Sequence, residues 1–324
     1  MSIYELENFR ISNLKKIKIL KFSLPLFLAP AFIVRHEIGF LNLFYFGILL
    51  SVFVSEIKRY KYHILAFCVI LYVALFRLNS PNEITITIAL CVGMFWFYFV
   101  CFQTSAYKIQ ERYKDYFLGE FLPEFAEKFG YEFERYGKIK YGLIRDSKIF
   151  KPDYKLYADN KIFGKFNGLN FEFSRLFLYE KDKKTKPVCG AFFHAKLDKS
   201  INSKFFIISN DAEFNATKNL KKFTAQDSKF NEIFSIYSSD TQTASYILSP
   251  VFIKRIMNLK KQLNFPIYIS FIDEKICIFV ASGRENFEPD IYKSVLYKNP
   301  AKTIKRELLY FLGLVKTLNL NAKI

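Results

Sequence analysis

The run "ITITIALCVGMFWFYFVCF", residues 84–102, carries no charged side chain over 19 consecutive positions, and no other stretch constrains the fold as strongly. About 20 apolar residues in a helix match the hydrocarbon thickness of a bilayer. Three further apolar runs precede it, at 17–34, 38–54 and 62–78. Helices of soluble proteins are seldom apolar all round. The expectation is therefore an N-terminal helical transmembrane region over 17–102, with four spans arranged as two hairpins. The first run is the least regular, because Pro25 and Pro30 interrupt it and Lys18 and Lys21 must snorkel.

Basic residues flank these runs in alternation. Arg10, Lys15 and Lys16 precede the first, Lys58, Arg59 and Lys61 fill the middle loop, and Lys108, Arg112 and Lys114 follow the fourth. The loops "RHE" and "NSPNE" hold one basic residue between them. The positive-inside rule then places both termini in the cytoplasm. The predicted location is the cytoplasmic (inner) membrane, multi-pass, with the soluble domain in the cytoplasm and the lipid bilayer as a partner. Residues 1–16 contain acids and lack a small-residue cleavage site, so they do not read as a secretory signal. Ile3, Leu6, Phe9 and Leu14 fall on one side of an expected juxtamembrane helix.

The formal net charge of +18 raises the question of a polyanionic partner. The same sequence is rich in Lys, Ile, Phe, Asn and Tyr, a bias that supplies solvated lysines without a ligand. Its basic residues are spread along the domain rather than interleaved with aromatics as in a recognised module, so nucleic acid is not an expected partner. Cys68, Cys91, Cys101, Cys189 and Cys277 show no CxxC spacing, which speaks against a disulfide framework. His36, His63 and His194 lack companions at metal-ligand spacing.

Residues 103–130 read as connecting helices, with Ile109, Tyr113, Phe117, Phe121 and Phe125 at helical spacing, a break at Pro123 and a stop at Gly130. Residues 131–324 then read as a soluble α+β domain with a mainly antiparallel sheet and packed helices. Period-two alternation around Phe171 and Phe173 turns through the charged "KDKKTK" and returns as "VCGAFFHAKL". Separate strands are expected at 204–210 and 232–238. A last hairpin is expected to turn at Asp273 and Glu274, with Ile267, Ile269 and Phe271 on one arm and Ile276, Ile278 and Val280 on the other.

The stretch "SPVFIKRIMNLKKQL" between these strands has Ser249 as N-cap and Pro250 at N1. Phe252, Ile253, Ile256, Met257, Leu259 and Leu263 share one arc, opposite Lys254, Asn258, Lys261 and Gln262. That arc predicts a helix packed on the sheet, with its lysines in solvent rather than on a membrane surface.

The run "NEIFSIYSSDTQTASYILSPVFIKRIMNL", the pair Phe287-Glu288 and the C-terminal "VKTLNLNAKI" together resemble the bacterial family called domain of unknown function 3137. "GKFNGLNFEFSRLFL" and "CGAFFHAKLDKSINSKFF" extend the resemblance to about residues 157–324. Two positions depart from the family pattern. Ser174-Arg175 stands where an acid commonly follows the serine, and Ala244-Ser245 replaces Ala-Arg. The resemblance implies a membrane-anchored cytosolic domain and a neighbourhood of LemA-type membrane proteins; it implies no activity, ligand or catalytic residue.

Three functions compete. The preferred one is a membrane-anchored cytosolic interaction or regulatory module with a protein partner, another membrane protein being one option for it. An enzyme at the inner face of the cytoplasmic membrane ranks behind it, and a transporter or channel component further behind. The acids an enzyme could use are Asp211, Glu213, Asp240, Glu288 and Asp290, each of a type that turns also favour. No GxSxG, P-loop, HExxH or Rossmann fingerprint accompanies them. No catalytic, cofactor-binding or metal-ligating residue is assigned from the sequence, and no cofactor is expected.

Overall fold

The structure is a computed structural model that describes residues 2–22, 102–180, 187–214, 220–282 and 288–321. The chain divides into two compact units, one of Met1–Leu6 with Lys114–Ile324 and one of Glu7–Tyr113.

The expected transmembrane region is corrected by the described residues, among which no helix is long and apolar enough to cross a membrane. Helix α1 (Ile3–Phe22) runs through the boundary drawn at residue 17. Residues 17–22, expected to open the first span, thus continue the helix that begins at Ile3. Its buried positions are Leu6, Glu7, Arg10, Asn13 and Ile17, whereas Ile3, Phe9 and Leu14 are only partly buried. Arg10 Nε donates to Glu7 Oε2 at 2.9 Å and Arg10 Nη2 to Glu7 Oε1 at 2.7 Å. A stripe that buries an ion pair is not a face made for hydrocarbon. The rest of the four runs, residues 23–101, lies outside the described residues, and so do the loops used for orientation.

Residues 102–116 form helix α2. It passes into a π-helical turn, Phe117–Phe121, and then helix α3 (Leu122–Glu127). The chain therefore meets Pro123 through a change of helical register rather than a break. The Leu122 N–H reaches back to the Phe117 carbonyl, five residues away, just ahead of the missing donor of Pro123. Gly130, at φ +74°, ends the run as expected, with Tyr131 N–H donating to the Ala126 carbonyl at 3.2 Å.

The sheet that follows is antiparallel at every pairing. Its strands are β1 (Glu132–Glu134), β2 (Tyr154–Phe166), β3 (Leu169–Glu180), β4 (Val188–Ser209), β5 (Lys221–Phe223), β6 (Phe234–Ser238) and β7 (Ile267–Val280). They run in the order β1-β2-β3-β4-β6-β5, and β7 also pairs with β4. Short helix α4 (Tyr141–Asp146) precedes β2, and α5 (Ser228–Ile233) and α6 (Thr241–Ile247) flank β6. Helices α7 (Pro250–Leu263) and α8 (Pro300–Asn321) lie on either side of β7 in sequence.

Two expectations about strands are corrected. The strands expected at "VCGAFFHAKL" and 204–210 are one strand, the 22-residue β4. The expected hairpin at Asp273 and Glu274 does not form; both arms belong to β7 and both pair with β4, from Ala191↔Val280 to Ile208↔Tyr268. Asp273 adopts φ +55°, which flips the side-chain alternation without reversing the chain. A partner as long as β4 makes this possible, because each arm finds its ladder there instead of on the other arm.

Each face of the sheet is covered. On one, the Phe252 ring of α7 meets Phe271 at 6.1 Å, and Phe311 of α8 sits 5.8 Å from Phe173 and 5.6 Å from Phe193. On the other, Ile139, Ile144 and Ile149 pack on Leu176, Phe192 and Phe279. Helix α7 follows its sequence pattern. The Ser249 side chain accepts from Phe252 N–H, the inward positions Phe252, Ile253, Ile256, Leu259 and Leu263 are buried, and Lys254, Asn258, Lys261 and Gln262 are exposed.

Candidate functional site

Asn167 and Gly168, both at positive φ, join β2 to β3 in a two-residue turn. The register this turn sets places Asp159 directly opposite Arg175. A bulge after Asp159 helps to aim it, because Asn160 takes φ +54°, buries its side chain and donates its N–H to the Arg135 carbonyl at 3.1 Å. Arg175 Nε donates to Asp159 Oδ1 and Nη2 to Oδ2, both at 2.7 Å. Arg175 Nη1 donates to Glu288 Oε1 at 2.8 Å, and Lys114 Nζ donates to the same oxygen at 2.6 Å. The Arg175 guanidinium also lies over the Phe177 ring at 4.7 Å.

Two cations and two anions are thus held together at the rim of the helix-covered face. Burial alone would lower the Arg175 pKa, but hydrogen bonds to Asp159 and Glu288 outweigh it and raise it. Burial would likewise push the Glu288 carboxyl up, and the hydrogen bonds from Lys114 and Arg175 hold it below its ordinary value. The neighbouring Cys189 thiol is pushed up to about 11 by burial, so it stays protonated near neutrality.

Glu288 also lines a cleft of about 470 Å³ between the end of α7 and the start of α8, where it is joined by Asp290, Lys293, Lys298 and Arg306. The segment beside this cleft is anchored by Ile291 and Val295, 3% and 1% exposed, and displays Tyr292, Leu296 and Tyr297 at 59%, 46% and 96%. Asp290 pairs with Lys293 at 2.8 Å; burial opposes the charge, but the Lys293 hydrogen bond prevails and its pKa is lowered.

Of the five acids singled out in the sequence, Glu288 and Asp290 meet in this cleft and the other three do not. Asp240 caps α6, accepting from Gln242 N–H at 3.2 Å and Thr243 N–H at 2.9 Å. Asp211 holds Lys260 at 2.6 Å, and Glu213 holds Lys151 at 3.3 Å. Among the described residues no group of three or more His, Cys, Asp or Glu is arranged to hold a metal ion. Carboxylates held below their ordinary range by adjacent cations are poor proton donors near neutrality. They suit the recognition of charged groups instead. Arg175 stood out in the sequence only as a departure from a family pattern. Asp159 carried no signal there; it becomes a partner through the register that the Asn167-Gly168 turn fixes.

The family model described as "Protein of unknown function (DUF3137)" matches residues 188–320, from the start of β4 to the end of α8. The match is shorter than the 157–324 suggested by the motifs, and it includes the cleft but not Asp159, Arg175 or Lys114. No curated protein matches the chain. Among solved structures, the crystal structure of the mycobacterial trehalose monomycolate transport factor A, TtfA, is similar at 10% identity, over 62% of this chain and 96% of that chain, with a TM-score of 0.36. A likeness that loose carries no argument about this chain. The family model matched over residues 188–320 is that of the family whose motifs the sequence resembles.

Proposed function

We propose that residues 114–324 act as a docking module that binds another protein through the cleft between α7 and α8 and the segment 291–298. The observation that carries this reading is the display of Tyr292, Leu296 and Tyr297 on a segment pinned by buried Ile291 and Val295. Exposing aromatic and aliphatic side chains on a mobile loop would cost ordering entropy on binding, whereas anchoring reduces that cost. Aromatic and arginine side chains carry much of the energy of protein interfaces. Here Arg306, Lys293 and Lys298 alternate with Glu288 and Asp290 beside the aromatics, which supports a protein surface of mixed charge as the partner.

The test is a photo-crosslinking amino acid placed at Leu296 in the full-length chain, expressed in its own cells. One discrete protein adduct is expected, and it should vanish when Tyr292 and Tyr297 are both changed to Ala. A crosslinker at Lys254, on the solvated back of α7, serves as the control. Equal adducts at both positions, or an adduct that survives Y292A/Y297A, would refute the docking surface.

A further inference from the structure

A second site lies on the other side of the sheet, where β4 and β7 slip out of register. Opposite Lys275 stands Lys196, but opposite Asp273 stands Ile201, so β4 spends extra residues over a short stretch of β7. Such slips leave backbone and side chains without their usual ladder neighbours. Among the described residues, three buried side-chain atoms in these two strands have no hydrogen-bonding nitrogen or oxygen partner: His194 Nε2, Ser203 Oγ and Ser270 Oγ. Ser270 is only 1% exposed. Its side-chain neighbour is the Cys277 thiol, which offers the Ser270 hydroxyl only the weak hydrogen bond of a sulfur group. His194 is the cross-strand partner of Cys277.

Native proteins satisfy nearly all buried polar atoms, and of these three Ser270 Oγ is the one on the wall of a cavity, so it calls for a partner there. The place for it is present. A cavity of about 300 Å³ is lined by Ser270 and Cys277 and bordered by Lys148, Lys204 and Lys275, with Asp146 and Asp273 at its edge. Lys275 faces Asp146 at 4.0 Å. Among the described residues Lys148 and Lys204 make no ion pair through their ammonium groups, so the cavity mouth carries more positive than negative charge. Two of its borders, Lys148 at φ +54° and Asp273 at φ +55°, hold left-handed backbone that side chains other than Gly rarely adopt. Conformations of that kind persist where surrounding structure enforces them, and they recur at ligand sites.

The geometry points to this cavity as a binding site for a small oxyanion, the phosphate or carboxylate of a metabolite, held by Lys148, Lys204 and Lys275 with the Ser270 hydroxyl donating from the floor. Charge-assisted hydrogen bonds from ammonium groups to an oxyanion are short and strong. The Ser270 hydroxyl, otherwise left with the weakly bonding Cys277 thiol, adds directionality. Asp146 and Asp273 limit the net charge, which favours a small anion over an extended polyanion. The site is separate from the docking cleft, and neither reading depends on the other.

Calorimetric titration of the purified full-length protein with inorganic phosphate, and in a separate arm with acetate, tests the inference. Saturable binding in either arm is expected; a response to phosphate alone assigns the phosphate class, and to acetate alone the carboxylate class. K148Q/K204Q should weaken that binding by about tenfold or more, the loss of charge-assisted contacts. K254Q/K261Q, on the solvated back of α7, should leave it unchanged. Ser270→Ala should reduce binding while its thermal melt stays close to or above that of the wild type, because it removes a buried hydroxyl whose side-chain neighbour is a weakly bonding thiol. No saturable response in either arm, or equal weakening in K254Q/K261Q, would show that the cavity holds water only.

Discussion

Arg175 is the residue on which most distant parts of the domain converge. Its side chain is 6% exposed and its forked contact with Asp159 is bidentate. Arg175→Met should therefore destabilise the domain by about 3–5 kcal/mol, because Asp159, whose side chain is only 13% exposed, loses the cation that faces it. Arg175→Lys should recover little of this, since an ammonium cannot reproduce the planar fork. Urea unfolding of both variants gives the measurement. His194 makes a second prediction at this scale. Burial, helped by the Lys275 charge, lowers its pKa from 6.5 to about 4, so the folded protein keeps the ring neutral where the unfolded chain would protonate it. The unfolded state then binds more protons between those two values, and stability falls as pH drops from 6.5 toward 4. The contribution is about 3 kcal/mol at most, at 1.36 kcal/mol per unit. The urea midpoint of His194→Phe should show a shallower fall across that window than the wild type. If the two profiles stay parallel, the ring is not what titrates. In sequence both residues were visible only as isolated letters. Arg175 had no partner at a recognisable spacing, because the contact is made across strands and beside a bulge.

At the scale of elements, α7 and β7 show what periodicity can and cannot decide. Helix α7 was legible throughout because its signals are local: a serine cap, a proline at the first turn and one apolar arc. Ser249→Ala should cost about 1 kcal/mol, the usual loss of an N-cap, read as a shift in the urea midpoint. The β7 strand was misread as a hairpin for an equally physical reason. Two apolar arms around "DE" look the same whether the chain reverses or only changes the face it presents, since both need a residue of positive φ. The choice lies with the partner strand, and the length of β4 was not apparent when its irregular middle was taken for a connection. One residue separates the alternatives. With Asp273 at φ +55°, Asp273→Gly should be neutral or stabilising by up to about 1 kcal/mol, while Asp273→Val should destabilise by more than that. Cooperative unfolding should persist in both, because β7 remains paired to β4 on either side of the substitution.

Across the whole molecule, the apolar runs that dominated the sequence gave no information about the domain that the structure describes. Their hydropathy is a property of composition over a window. The architecture of residues 114–324 instead depends on pairings far apart in the chain. The charge cluster makes this concrete: Lys114 reaches Glu288 across 174 residues, and Arg175 reaches it across 113. Glu288 is thus the point where the residues leading into α3 are tied to the segment after β7. It is partly exposed, so its removal acts mainly by releasing that tie rather than by burying a bare charge. Glu288→Gln should cost about 1 kcal/mol globally, within the range of partly exposed ion pairs. Its larger effect should be local. Amide exchange should rise in residues 114–127, which lose Lys114 as an anchor, while β4 and β7 keep their protection because their ladder is untouched. Uniformly faster exchange would mean that Glu288 contributes only to overall stability. Exchange confined to 114–127 would identify the cluster as the fastening of that helical segment, leaving Arg175 and Asp159 to hold β2 and β3 by themselves.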